Sequence, residues 1–219
     1  MMSRGFLLAL RRWGVAACGA LFLALAGCGY LGEAKDFDPA LLQSEPGWIA
    51  VPGVPVELQK QADDCGTAAL SMVLQYWHLP REEANPDPVL IPGKGTPARD
   101  LRDLGRKCGL ESYLFHGEWN DLRNEVSRGH PVIVGLLKHD RTGLVTHYEV
   151  VVAIHPVRDL VVTHDPACGW RQNSRSGFQK EWDPAGYLTL VFYPGPREAA
   201  PCQEPDPENV REESERRQP

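Results

Sequence analysis

The apolar periodicity of this chain changes once, and that change fixes what it can fold into. From Cys65 the positions Ala69, Met72, Val73, Tyr76 and Trp77 recur at helical spacing, and the pattern stops before Pro80. Thr96-Pro97 opens a second helix, with Thr as N-cap and Pro at the first position, running through Leu101 and Leu104 to Gly109. A third spans Trp119 to Arg128, with Gly129 as its stop. Then the period becomes that of strands: Pro131–Leu137, His147–Ile154, Leu160–His164 and Tyr187–Phe192 are β-rich runs separated by turn signals. Arg158-Asp159 fits a tight turn, so the second and third runs are expected to be antiparallel neighbours. Trp48–Pro52 and Val54–Val56 add a short edge strand, where Pro is tolerated. Helices first and strands second predict an α+β domain, its helices packed on an antiparallel sheet.

The two ends stand apart from that domain. Arg4, Arg11 and Arg12 precede a short apolar stretch, Val15–Ala26, that closes in Leu25-Ala26-Gly27-Cys28. This is the layout of an export signal, its apolar run too short to span a bilayer. The Leu-Ala-Gly-Cys ending resembles the bacterial lipoprotein signal, which implies cleavage after Gly27 and a lipid on Cys28. Gly29, where lipoproteins kept in the inner membrane usually carry Asp, implies the periplasmic face of the outer membrane. An ordinary secretory signal, with Cys28 incidental, is the plainer alternative. Residues 1–27 are thus a signal peptide, 28–47 a tether, 48–195 the folded domain and 196–219 an acidic tail. The tail is rich in Pro and Glu with almost nothing apolar, so it cannot bury enough surface to order itself. Loss of the three signal arginines moves the net charge from −6 to −9. With no basic patch on the body, nucleic-acid binding has no support.

The six cysteines divide by position. Cys18 leaves with the signal, Cys28 takes the lipid and Cys65 stays a thiol. Cys108, Cys168 and Cys202 remain; in an exported protein one bridge can form among them, the sequence not saying which pair, and buried inert thiols are an equal alternative.

Cys65 carries the chemistry. A cysteine at a helix N-terminus gains thiolate character, because unpaired N–H groups and the helix dipole favour negative charge there. A nearby imidazolium would add to this. His147 opens a strand that can face the helix start, and Asp165 ends the neighbouring strand, where it can hold the second ring nitrogen. Gln59, six residues before Cys65, has an amide that can join the Cys65 N–H in holding an oxyanion, with Gln61 as its rival. The residues point to thiol-dependent acyl transfer, and to peptide hydrolysis first.

Gln59 through Gly66, followed by Ala68-Ala69-Leu70, Met72 and Tyr76, resembles the start of the family thirty-nine cysteine peptidases. These are papain-like domains that cut double-glycine leader peptides, with many free-standing relatives. Gly95-Thr96 with Leu101, His147-Tyr148, Asp165-Pro166-Ala167 with Gly169, and Phe178 with Trp182 are similar too. The resemblance runs from Ile49 to Tyr193. It implies Gln59 as the oxyanion glutamine, Cys65 as nucleophile, His147 as base and Asp165 as orienting acid, with a peptide or protein as substrate and no cofactor. Leader-cutting members are usually fused to a transporter and an ATPase and work on the cytoplasmic side. This chain is read as exported and supplies neither module, so the chemistry carries over and the leader substrate does not.

Other readings use the same residues. A non-catalytic peptide-binding module would keep the fold, although here all four roles are filled. A papain-like acyltransferase or amidase would pass the acyl group to a different acceptor. A metal is not expected: His139, His147, His155, His164 and Cys168 lack ligand spacing, and His164 should face away from Asp165. Gly93-Lys94-Gly95-Thr96 lacks the preceding strand and first glycine of a phosphate loop, and is read as a turn.

Overall fold

The computed structural model describes residue 30 and residues 32–79, 95–141 and 143–195. The proposed signal, Cys28, most of the 81–95 loop and the acidic tail lie outside these residues. Eight strands and five helices follow in the order β1 Lys35–Asp36, α1 Leu41–Ser44, β2 Ile49–Ala50, α2 Cys65–Tyr76, α3 Ala98–Lys107, β3 Leu110–His116, α4 Trp119–Ser127, β4 Val132–Asp140, β5 Gly143–His155, β6 Leu160–Asp165, β7 Gly169–Ser174, α5 Arg175–Trp182 and β8 Leu188–Pro194. One antiparallel sheet runs β1-β7-β6-β5-β4-β8-β3, with β2 paired to β5 at residues 153–154, past the part that pairs with β4. The α+β expectation is met.

Helix α2 is the centre of the molecule. Nine of its twelve residues are buried, as expected of a helix that is apolar on nearly every side. It ends where His78 takes the left-handed conformation (φ 56°) and the Leu79 N–H closes back on the Leu74 carbonyl at 2.9 Å, a helix stop of the Schellman type. Helix α4 ends at Gly129, whose φ of 82° suits a residue without Cβ. At its start Asp121 accepts the Glu118 N–H at 2.8 Å. Helix α3 begins one residue later than expected. Pro97, at φ −59° and ψ 143°, is the cap itself, and no side chain bonds the first turn.

Five elements have no counterpart in the sequence reading: β1 and α1 within residues 28–47, and β3, β7 and α5. Strand β3 pairs along its whole length with β8 at one edge of the sheet. Strand β7, Gly-Trp-Arg-Gln-Asn-Ser, is too polar to stand out as a strand and is set by its pairing with β6. Helix α5 packs across β4, β6 and β7. The tether reading of residues 28–47 needs a correction, because part of that segment belongs to the folded body. Phe37 is buried in the core, β1 extends the sheet beyond β7, and Arg171 binds both Asp36 and the Ala34 carbonyl.

Candidate active site

Alternation along a strand decides which side chains share a face. His147 and Glu149 on β5 do, and the register of β4 and β6 brings Lys138 and Asp165 to the same neighbourhood. The β5–β6 hairpin predicted from Arg158-Asp159 makes this possible, with Asp159 at φ 49° in its turn. His164, next in sequence to Asp165, sits edge-on to Trp170 with ring centroids 4.0 Å apart, while Asp165 meets His147.

The Nε2 atom of His147 lies 2.7 Å from Asp165 Oδ1. That oxygen also accepts the Ala167 N–H at 2.8 Å. The Cys65 thiol is near enough to the ring to act on its charge, so the three side chains share one site. Cys65 is 5 % exposed, His147 2 % and Asp165 0 %. Burial alone would strip the proton from His147. The bond to Asp165 and the nearby Cys65 sulfur, with the negative charge of both, outweigh that and raise its pKa to about 9. Burial pushes the Asp165 pKa up. The His147 bond and charge, then the Lys138 ammonium and the Ala167 N–H, prevail and bring it down to about 2.

Cys65 is the first residue of α2, and the loop before it is shaped by the same stretch of sequence. Asp64 does not cap the helix with its side chain. Its carboxylate accepts the Lys60 and Gln61 N–H groups at 3.1 and 3.2 Å, curling the loop. Gln59 is tied to the acid's turn, its N–H donating to the Pro166 carbonyl at 2.7 Å. One Gln59 amide hydrogen goes to the Gln61 carbonyl at 2.8 Å, which leaves a second for another acceptor. Both glutamines line a cleft of about 840 Å³ together with Cys65, Ala62, Leu137 and Thr146. Gln59 is half-buried and Gln61 exposed, so Gln59 is the better fixed of the two. The Gly66 position is tight: a Cβ there would meet Leu101 at 3.0 Å and Tyr148 at 3.1 Å.

Behind the triad lies a charged cluster that the sequence reading missed. Lys138 is 1 % exposed and pairs with Glu149, with Asp165 Oδ2 at 3.8 Å and with Glu181 at 3.6 Å. Thr163 donates to Glu149 at 2.6 Å. His147, Glu149 and Asp165 place ligand-type atoms within 4.8 Å of one another, and the Lys138 ammonium already supplies the positive charge they call for. The signal was in plain view: a Lys and a Glu inside runs of buried strand residues need partners. Tyr30 was also missed. Its hydroxyl lies 3.1 Å from His147 Nδ1.

Among the remaining cysteines, Cys168 is disulfide-bonded, and neither Cys65 nor Cys108 is its partner. Cys108, the residue that closes α3 ahead of β3, is buried.

Residues 53–194 match the model of the peptidase C39 family. The chain belongs to that family. Its members are cysteine peptidases, and this chain is one by descent. Two solved structures share the fold. The peptidase domain of Streptococcus ComA, a bifunctional ABC transporter involved in a quorum-sensing pathway, is 23 % identical, with 65 % of this chain and 99 % of that one covered at a TM-score of 0.52. A putative C39-like peptidase from Bacillus anthracis is 16 % identical, covering 67 % and 97 % at a TM-score of 0.53. No curated protein matches.

Proposed function

We propose that this C39 peptidase cleaves a peptide or related amide in the cell envelope, through Cys65, His147 and Asp165 with Gln59 in the oxyanion hole. The observation that carries the reading is the position of His147, with Asp165 on one ring nitrogen and Cys65 near enough to act on the ring. In the reacting pair His147 takes the thiol proton, which leaves the charge on sulfur. Cys65 Sγ attacks the scissile carbonyl carbon, and the oxygen takes the negative charge. The Cys65 N–H, free of an intrahelical partner at the helix start, and the second Gln59 amide hydrogen face that oxygen. Collapse breaks the C–N bond, and the leaving amine takes the His147 proton. Water then gives a proton back to His147 as it attacks the thioester, and the acid product leaves with the thiolate restored. Throughout, Asp165 keeps the ring oriented and supports its positive form.

We also assign Cys28 as the lipid-bearing residue that holds the domain at the membrane, on the strength of Leu25-Ala26-Gly27-Cys28. The test of the peptidase reading is incubation of the protein and its Cys65→Ala variant with a defined peptide library, followed by mass spectrometry of new termini. Cleavage by the wild type and none by Cys65→Ala is expected. Equal product from both would overturn the mechanism. Labelling with a palmitate analogue that is lost in Cys28→Ala would support the anchor, and labelling that persists there would overturn it.

A further inference from the structure

The nitrogen of His147 not taken by Asp165 is engaged by a residue from the N-terminal segment. Tyr30 Oη lies 3.1 Å from Nδ1, and the two rings are 4.8 Å apart at 50°. The Lys138 ammonium is 5.0 Å from the centre of the phenol ring, so a cation as well as the imidazole contacts the ring. Burial, then the charges of Asp165, Cys65, Glu149 and Asp140, keep the phenol protonated. Tyr30 also lines the cleft that holds Cys65 and Gln59.

From Gly32 onward the chain is firmly tied down. Glu33 binds Lys180 at 2.6 Å and accepts from Ser174 at 3.3 Å. The Ala34 carbonyl and Asp36 are both gripped by Arg171. Lys35 and Asp36 pair with Gln172 and Arg171 on β7, and the Phe37 N–H continues the pairing to the Trp170 carbonyl at 3.2 Å. Gly32 passes so close to Glu181 that a Cβ would lie 2.6 Å from its carboxylate oxygen. The segment therefore sits on the sheet as an added strand, in the manner of a bound peptide, and delivers one aromatic side chain to the working nitrogen.

We infer that Tyr30 and residues 32–37 act as an intramolecular strap that holds the catalytic cleft in a resting state, with Tyr30 occupying His147 Nδ1 until an incoming peptide displaces it. This rests on the reading of Cys65 and His147 as the reacting pair. Whichever of the two atoms carries the shared proton, Nδ1 cannot serve the Cys65 sulfur and the leaving amine while the phenol is bound to it. Activity then requires the fraction of molecules in which Tyr30 has swung out, and the apparent rate is lowered by that fraction.

The test is the rate of Cys65 carbamidomethylation by iodoacetamide at neutral pH in the full-length protein, read by peptide mass spectrometry. Wild type, Tyr30→Phe, Tyr30→Ala, Glu33→Ala and His147→Ala are compared. If the resting state holds about nine-tenths of the molecules, Tyr30→Ala gains about tenfold. Tyr30→Phe, which keeps the ring and loses the hydroxyl, gains less. Glu33→Ala, which loosens the strap away from the site, also gains. A Tyr30→Ala rate equal to or below wild type, with His147→Ala slow, overturns the strap and leaves the reacting pair standing. Equal rates in wild type, Tyr30→Ala and His147→Ala overturn both.

Discussion

His147 Nε2 and Asp165 Oδ1 lie 2.7 Å apart inside the sheet, on strands joined by a short hairpin. Neither is more than 2 % exposed. The pair links stability to pH in a definite direction. His147 titrates at about 9 in the folded protein against about 6.5 when unfolded, so its contribution is complete below pH ~6.5 and is lost as the pH rises through about 9. Asp165, at about 2 when folded, contributes fully above its unfolded value near 4 and loses that contribution as the pH falls toward 2. Urea unfolding of the wild type and His147→Gln at several pH values should show their stability difference largest near pH 6 and shrinking toward pH 9. A difference that grows with pH would contradict the assignment.

Asp165→Asn keeps the shape but removes the charge that supports the imidazolium. We expect kcat to fall by about 10² to 10⁴-fold with KM little changed. Steady-state kinetics on the first peptide found to be cleaved would check this, and His147→Ala should be the more damaging of the two.

Gln59→Ala removes the amide hydrogen assigned to the oxyanion. The expected loss in kcat is about 10² to 10³-fold. Gln61→Ala should cost far less, because the exposed Gln61 side chain is not the one tied to the Pro166 turn. Reversal of that order would move the oxyanion role from Gln59 to Gln61.

Lys138 is buried among Glu149, Asp165 and Glu181. Lys138→Met leaves carboxylates without their counter-charge, and removal of one partner from a buried ion pair costs about 3–5 kcal/mol. Denaturant titration should show that loss. Lys138→Met combined with Glu149→Gln should recover part of it, since the two partners then leave together.

Gly66→Ala places a Cβ 3.0 Å from Leu101 and 3.1 Å from Tyr148, the residue after His147. Overpacking of this kind costs about 1–3 kcal/mol. Because the strain falls beside the triad, turnover should drop more than thermal stability does; an unchanged rate would show that Tyr148 can yield without moving His147.

The sequence made legible whatever depends on local pattern. Cys65 is marked by the helix that begins at it, and Asp165 by the end of an apolar strand. The meeting of His147 with Asp165 follows from one recognisable hairpin. What escaped depends on partners far along the chain. Nothing in Gly169–Ser174 reads as a strand, because it is its pairing with β6 and the grip of Arg171 on Asp36, 135 residues away, that hold it there. Residues 35–44 looked like linker for the same reason: Phe37 is their only deep anchor, and its pocket is built by Trp48 and Trp170. Lys138 and Glu149 were visible as charges in buried strands, but only the cross-strand register pairs them.

The most direct test of the Cys65–His147 pair is an NMR titration of the His147 ring, carbon-13 labelled, in the wild type and in Cys65→Ala. The account predicts an imidazolium that persists to a pH of about 9 in the wild type and titrates at clearly lower pH once the sulfur is gone. An identical titration in the two proteins would show that Cys65 and His147 do not share a proton.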